Sequence, residues 1–228
     1  ELDIEVSKLK LLKSNHLSQR YALEDAISKT FPKNIAEAQE RISGYEADIA
    51  AVKENTHPNA DGFSPLVLMG VPHTDKKEAG AALLTMCQTM LSPEATQIGS
   101  YRGLTLELAF DTFAREYRLT MIGQLRHTVT LGTDVFGNLQ RMDNALEGLP
   151  IKEQACREQI SNLQTQLETA KAEVQKPFPR EAELNTKTAR LEELNSLLNL
   201  DHKEPEIVDA EPDEDQRPPE RRRPQLER

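Results

Sequence analysis

The hydrophobic period changes twice along this chain, and no uniform architecture accommodates that. From Ile35 the apolar positions step three and four residues in turn through Ala38, Ile42, Tyr45, Ile49 and Val52, the seam of a helix packed on other helices. A second seam runs through Ile160, Leu163, Leu167, Ala170 and Val174. Between them Leu104, Leu106, Leu108 and Phe110 alternate with polar or small residues, as a half-buried strand does. The expectation is an α+β fold, in which a helical hairpin and long coiled-coil-like C-terminal helices pack around a small antiparallel sheet.

The first helix is expected over about residues 5–30, with Leu9, Leu12, Leu23 and Ile27 on one side. Phe31-Pro32 should break it and start a second helix running to about Asn55, which makes 1–57 an N-terminal helical hairpin. A middle region, 58–148, follows in the order β-α-β-β-α. It opens with a polar turn over 59–64 and a short strand at 66–69, and Thr74 is placed to cap a helix that ends before Ser92-Pro93. Parity then organises 96–131. Even positions are apolar from Ile98 to Phe110 and odd positions from Tyr117 to Leu131, so a turn over 111–116 puts both sets on one face. That pairs Phe110 with Tyr117, Leu106 with Met121 and Ile98 with Val129, in one long β-hairpin bent at Gly103 and Gly123. Turn chemistry over 132–138 leads into a helix from about Leu139. The region 149–200 then holds a long helix from about Ile151 to Lys176 and a last helix with Leu184, Leu191, Leu194 and Leu198, both packing on the hairpin as one domain with 1–148. Acidic residues, five prolines and Arg221-Arg222-Arg223 mark 201–228 as a disordered tail.

Charge bounds function only loosely. The net charge is −10, but ten acidic and six basic residues follow Leu200, so −6 belongs to the first 200 residues. A mildly acidic body argues against a broad nucleic-acid surface and leaves room for a local basic patch. Cys87 and Cys156 stand alone, without CxxC or histidine at ligand spacing, so neither zinc nor a disulfide framework is expected. No apolar run reaches the roughly 18 residues of a membrane span and no signal peptide opens the chain, which points to the cytoplasm and to no membrane partner. A chain starting at Glu1 rather than Met has the look of a piece of a longer protein.

No reaction chemistry is recognisable, and no catalytic, cofactor-binding or metal-binding residue is assigned. There is no GK[ST] phosphate loop, no HExxH and no Asn-Pro-Pro-aromatic methylase motif. Asp213-Glu214-Asp215-Gln216 resembles a helicase metal box, but its proline-rich, charged flanks are not a buried strand end. Two segments remain. Ile98-Gly99-Ser100-Tyr101-Arg102-Gly103 offers a Tyr-Arg pair able to stack on a base or hold phosphate; a glycine bend with the tyrosine packed on a neighbouring helix is the stronger explanation. Arg118, Gln124 and Arg126 are expected to join Tyr101 on an outer face as a small positive platform, or to form an ordinary solvated face. Asn138, Arg141 and Asn144 share one side of a short helix, fit either for a nucleic-acid backbone or for capping and a salt bridge to the long helix. The candidate nucleic-acid contacts are therefore Tyr101, Arg102, Arg118, Arg126 and Arg141.

Several strings carry a resemblance. Phe31-Pro32-Lys33, Ile42-Ser43-Gly44-Tyr45-Glu46-Ala47-Asp48-Ile49, Lys77-Glu78-Ala79-Gly80, Ile98 to Gly103, Leu131-Gly132-Thr133, Gly137-Asn138, Arg141 to Leu146, Ala170 to Val174, Lys176-Pro177-Phe178 and Arg190 to Asn195 together span about residues 30–200. In these the chain resembles the C-terminal region of very large helicase and DNA-methylase proteins of bacterial conjugative mobile elements. The resemblance implies a parent with Snf-type motors and a methylase acting on DNA in a bacterial cytoplasm. The motors' motifs lie outside these residues, so no catalytic residue carries over. Two readings follow: a non-catalytic accessory module that engages DNA or positions the motor, and a coiled-coil structural or protein-interaction module with no nucleic-acid contact. The partners expected are DNA, other domains of the parent, and a second copy through the coiled helices.

Overall fold

The computed structural model describes residues 1–90 and 92–201, so the acidic and Arg-Pro tail expected over 201–228 lies, but for Asp201, outside the described residues. The chain is α+β. Helix α1 (Leu2–Asp25) runs through a five-residue π segment (Ala26–Thr30) into α2 (Phe31–Glu54), so the expected break at Phe31-Pro32, and with it the N-terminal helical hairpin, is not formed. The reason is local. A proline inside an α-helix clashes with the carbonyl four residues back. Here the preceding turn is widened, with the Phe31 N–H donating to the Ala26 carbonyl five residues back, and the backbone stays helical through the proline.

After a turn built on Asn59, whose Oδ1 accepts from the N–H groups of Asp61 and Phe63, come β1 (Leu66–Leu68) and β2 (Val71–His73). Helix α3 (Lys76–Thr89) is capped by Asp75 rather than Thr74, through the Glu78 N–H at 2.8 Å. Four strands follow: β3 (Thr96–Tyr101), β4 (Leu104–Asp111), β5 (Glu116–Ile122) and β6 (Arg126–Leu131). They form one antiparallel sheet in the order β2-β1-β3-β4-β5-β6. Helix α4 (Val135–Glu147) starts four residues earlier than the pattern suggests, because Asp134 caps it through the Gly137 N–H. The long helix α5 is Leu149–Val174, and α6 is Glu181–Asp201.

The long bent hairpin expected over 96–131 is instead a four-strand meander. Its middle register is the expected one, with Phe110 opposite Tyr117 and Leu106 opposite Met121. Its outer pairing is not: β3 pairs with β4 and β6 with β5, so Ile98 does not meet Val129. The cause is the Arg102-Gly103 pair, at φ +48° and +83°, which closes a two-residue hairpin between Tyr101 and Leu104. Both central residues at positive φ is the primed turn that matches strand twist. A register shift between Gln97 and Gly99 then lets Ile98 and Tyr101, three residues apart, both point inward.

Two compact units result: Asn15–Pro177, and Glu1–Ser14 together with 178–228, of which the structure describes residues up to 201. In the first, Leu66, Leu68, Ile98, Tyr101, Leu104, Leu106, Leu108, Leu119, Met121 and Leu131 pack under Ala79, Leu83 and Cys87 of α3 and Leu139, Met142 and Leu146 of α4. The opposite sheet face carries Thr105, Glu107, Arg118, Thr120, Arg126, Thr128 and Thr130. Helix α5 lies antiparallel along α2, as the pairs Arg41 with Gln159 and Glu46 with Arg157 show; Ala38 and Ile42 of α2 and Cys156, Ala170 and Val174 of α5 are buried, while Val52 belongs to the sheet-side core. At 1.5 Å per residue this two-helix rod is about 36–39 Å long. In the second unit, Val6 and Leu9 of α1 pack on Leu184 and Leu191 of α6, flanked by the pairs Lys13–Glu181 and Glu5–Lys187.

Candidate functional site

The Arg102-Gly103 turn is held from three sides. Tyr101 is 2% exposed, its ring stacked near Phe63, and its hydroxyl donates to Asp143 Oδ1 on α4 at 2.7 Å. Burial chiefly, and the hydrogen bond and charge of Asp143 after it, push the phenol far above its ordinary pKa. Arg102 donates through Nε to Thr56 Oγ1 at 2.8 Å, beyond the end of α2, and reaches the same Asp143 oxygen at 3.4 Å. Its left-handed backbone is thus fixed by contacts to α4 and to the turn after α2. The tyrosine packs on a helix, as one of the two sequence readings of the segment has it, and no edge of its ring is open to a base.

Beside this network lies an open cleft of about 470 Å³, walled by Ile49, Val52, Pro58, Leu146 and Pro150, with Lys53, Arg102 and Glu147 at its rim. Apolar walls and mixed rim charges suit a protein side chain better than a phosphate chain.

Arg118 and Arg126 sit on the outer sheet face, away from Tyr101, so the expected common platform is not formed. Arg118 pairs with Asp111 at 2.8 Å, a diagonal contact between neighbouring strands, and Arg126 of β6 reaches over β5 to Glu107 of β4 at 2.6 Å. Asp111 also accepts the N–H groups of Ala114 and Phe113 at the hairpin tip. Those two bonds, the Ala114 one foremost, and the Arg118 charge hold its carboxyl below the usual range. Arg141 lies elsewhere again: it donates to Asn138 Oδ1 at 2.9 Å, and no salt bridge to α5 is seen from it among the described residues. Buried Asn138 in turn brackets Gly132, accepting from its N–H and donating to its carbonyl. The five candidate residues therefore occupy three separate places.

One constellation escaped the sequence reading. Asp48 of α2, 1% exposed, accepts from the N–H groups of Gln124 (2.6 Å) and Leu125 (3.0 Å) and meets His127 Nε2 at 2.7 Å. Tyr45 stacks on the same imidazole at 6.0 Å. A buried carboxylate satisfied by two backbone donors and a histidine is a docking joint between α2 and the β5–β6 turn. Gly123 is required there, since a Cβ would lie 2.1 Å from Asp48 Oδ1. His127 next to Asp48 has the outline of an acid–base dyad, but both are sealed in the core.

No family model, curated protein or solved structure matches the chain. Among the described residues no cluster of three histidine, cysteine or acidic side chains is arranged to hold a metal, and no helix is long and apolar enough to cross a membrane.

Proposed function

We propose that this chain is a non-catalytic accessory module that positions a larger DNA-processing protein through protein contacts, with the α2–α5 rod as its rigid arm. The observation carrying the reading is electrostatic. Arg102, Arg118 and Arg126 each sit within ion-pair distance of a carboxylate, and Tyr101 is buried. A DNA phosphate would have to displace a carboxylate at each place, on a chain of net charge −10. The tie to a DNA-processing parent rests on the resemblance of residues 30–200 to the C-terminal region of mobile-element helicase and methylase proteins. Within that reading the sheet and joint brace one end of the rod, and the parent's other domains are the partners.

The test is anisotropy of labelled duplex and single-stranded DNA against the whole chain, over a range of salt. The expected result is no saturable binding even at low salt, with capture of the parent's other domains in a parallel pull-down. A steep log–log salt slope, lost in the Arg118→Ala/Arg126→Ala variant, would overturn the reading in favour of a DNA-engaging module.

A further inference from the structure

The cleft beside the Arg102 network is a preformed apolar hollow with two charges left over. Its floor is fixed: Val52 is 6% exposed and Leu146 2%, both within the large core, and Arg102 is held by Thr56 and Asp143. Its volume of about 470 Å³ falls in the range of sites that enclose a ligand group. At the rim stand Lys53 of α2 and Glu147 of α4. Both are exposed, neither has an ion-pair partner among the described residues, and no ion pair joins them. Unlike charges beside one apolar hollow complement a ligand that carries an apolar group between an acid and a base.

We propose that this cleft seats an apolar side chain of leucine size from a partner polypeptide, flanked by a carboxylate that meets Lys53 and a basic group that meets Glu147. A polypeptide fits better than a small molecule because the apolar surface does not stop at the cleft. It passes over Pro150 into a second hollow, walled by Ile151, which is 75% exposed, and by Ala155. Those two residues stand four apart on α5 and so share one of its faces. A chain leaving the cleft over Pro150 therefore meets a further apolar strip, which a compact ligand would leave uncovered. The proposal rests on the reading of this chain as a module that works through protein contacts, and it names the place of contact.

Titration of the isotopically labelled whole chain with the peptide acetyl-Glu-Leu-Lys-amide, followed by amide chemical shifts, tests it. Shifts at Val52, Lys53, Leu146 and Glu147 should saturate, with a dissociation constant on the order of 1 mM. Replacing the peptide's leucine by alanine should weaken binding about tenfold, since the walls then bury less apolar surface. N-acetylleucine, which has the side chain and a carboxylate but no base and no onward chain, should also bind about tenfold more weakly. Lys53→Glu, an exposed change that should leave the circular dichroism unaltered, should weaken the peptide about three- to tenfold and favour acetyl-Lys-Leu-Lys-amide by a similar factor. Cleft amides that do not shift at ten times the expected dissociation constant overturn the proposal. So do leucine and alanine peptides of equal affinity, N-acetylleucine that binds as tightly as the peptide, or a Lys53→Glu variant with the original preference. The module reading fails separately: saturable DNA binding would overturn it while the cleft still took the peptide, and a cleft that refused the peptide would leave the DNA result unchanged.

Discussion

Asp48 holds more of the fold together than its place in the sequence suggests. Its carboxylate accepts from two backbone N–H groups and lies against His127 with almost no solvent contact, so removing it strands all three partners. Asp48→Ala should cost about 3–5 kcal/mol, the range for leaving one side of a buried polar cluster unpaired. Urea unfolding of the variant against the parent measures it. Tyr101→Phe should cost less, about 1.5–3 kcal/mol, because Asp143 keeps Arg102 and loses one charge-assisted hydrogen bond. Cys87 makes a third case: burial pushes its thiol up to about 11, so at pH 8 only about one thiol in a thousand is ionised. Alkylation by iodoacetamide, followed by mass spectrometry, should therefore be at least tenfold slower at Cys87 in the folded chain than in urea. Local pattern shows why Cys87 belongs inside but is silent about Asp48. The carboxylate sits off the α2 seam, and its partners lie 76 to 79 residues away. The nearest signal was Gly123, read as a bend in a ribbon when what it provides is room for that carboxylate.

Elements were legible where one period ran undisturbed, and misread where two arrangements share it. The alternation from Ile98 to Leu131 is satisfied equally by a long hairpin and by a meander, since both set Leu104–Phe110 against Tyr117–Ile122 with the same inward face. The decision lay in Arg102-Gly103, a dipeptide less common in primed turns than Asn-Gly. Met69-Gly70 repeats the geometry at φ +48° and +79°, and Met69 is 71% exposed. Met69→Asn should accordingly stabilise the β1–β2 hairpin by about 0.5–1 kcal/mol, read as a rise in the urea midpoint at unchanged slope. The missed π segment did leave a trace. Leu23 and Ile27 set a phase in which the next apolar positions are 30 and 34, yet Phe31 and Ile35 are the ones used, one residue late. A π turn absorbs one residue, and Leu23 and Phe31 do line the same groove against Thr169 and Ala170 of α5. Deleting Lys29 should remove the π turn, swing Leu23 and Ile27 about 100° off α5 and force Pro32 into a regular helix, at a cost of ~3 kcal/mol or more. Lys29→Ala should be neutral.

Across the whole molecule the two units differ in how much they bury. The unit of residues 15–177 closes nineteen buried residues into one core, whereas the unit of residues 1–14 and 178–201 has three, Val6, Leu9 and Leu184, with surface ion pairs around them. Opening free energy follows buried apolar contact, so amides of α6 should exchange at least ~10-fold faster than those of β4 and β5. Acid should act on α6 as well. Hydrogen bonds from Lys187 and Arg180 hold the Glu183 carboxyl below its ordinary range. A lowered carboxyl pKa stabilises fully above the unfolded value and stops doing so as pH falls through the folded one. The α6 amides should therefore lose protection as pH falls below about 4, after correction for the intrinsic exchange rate. Hydrogen exchange at two pH values reads the effect. Equal protection of α6 and β4 at every condition would show that the small cluster shares the stability of the large core.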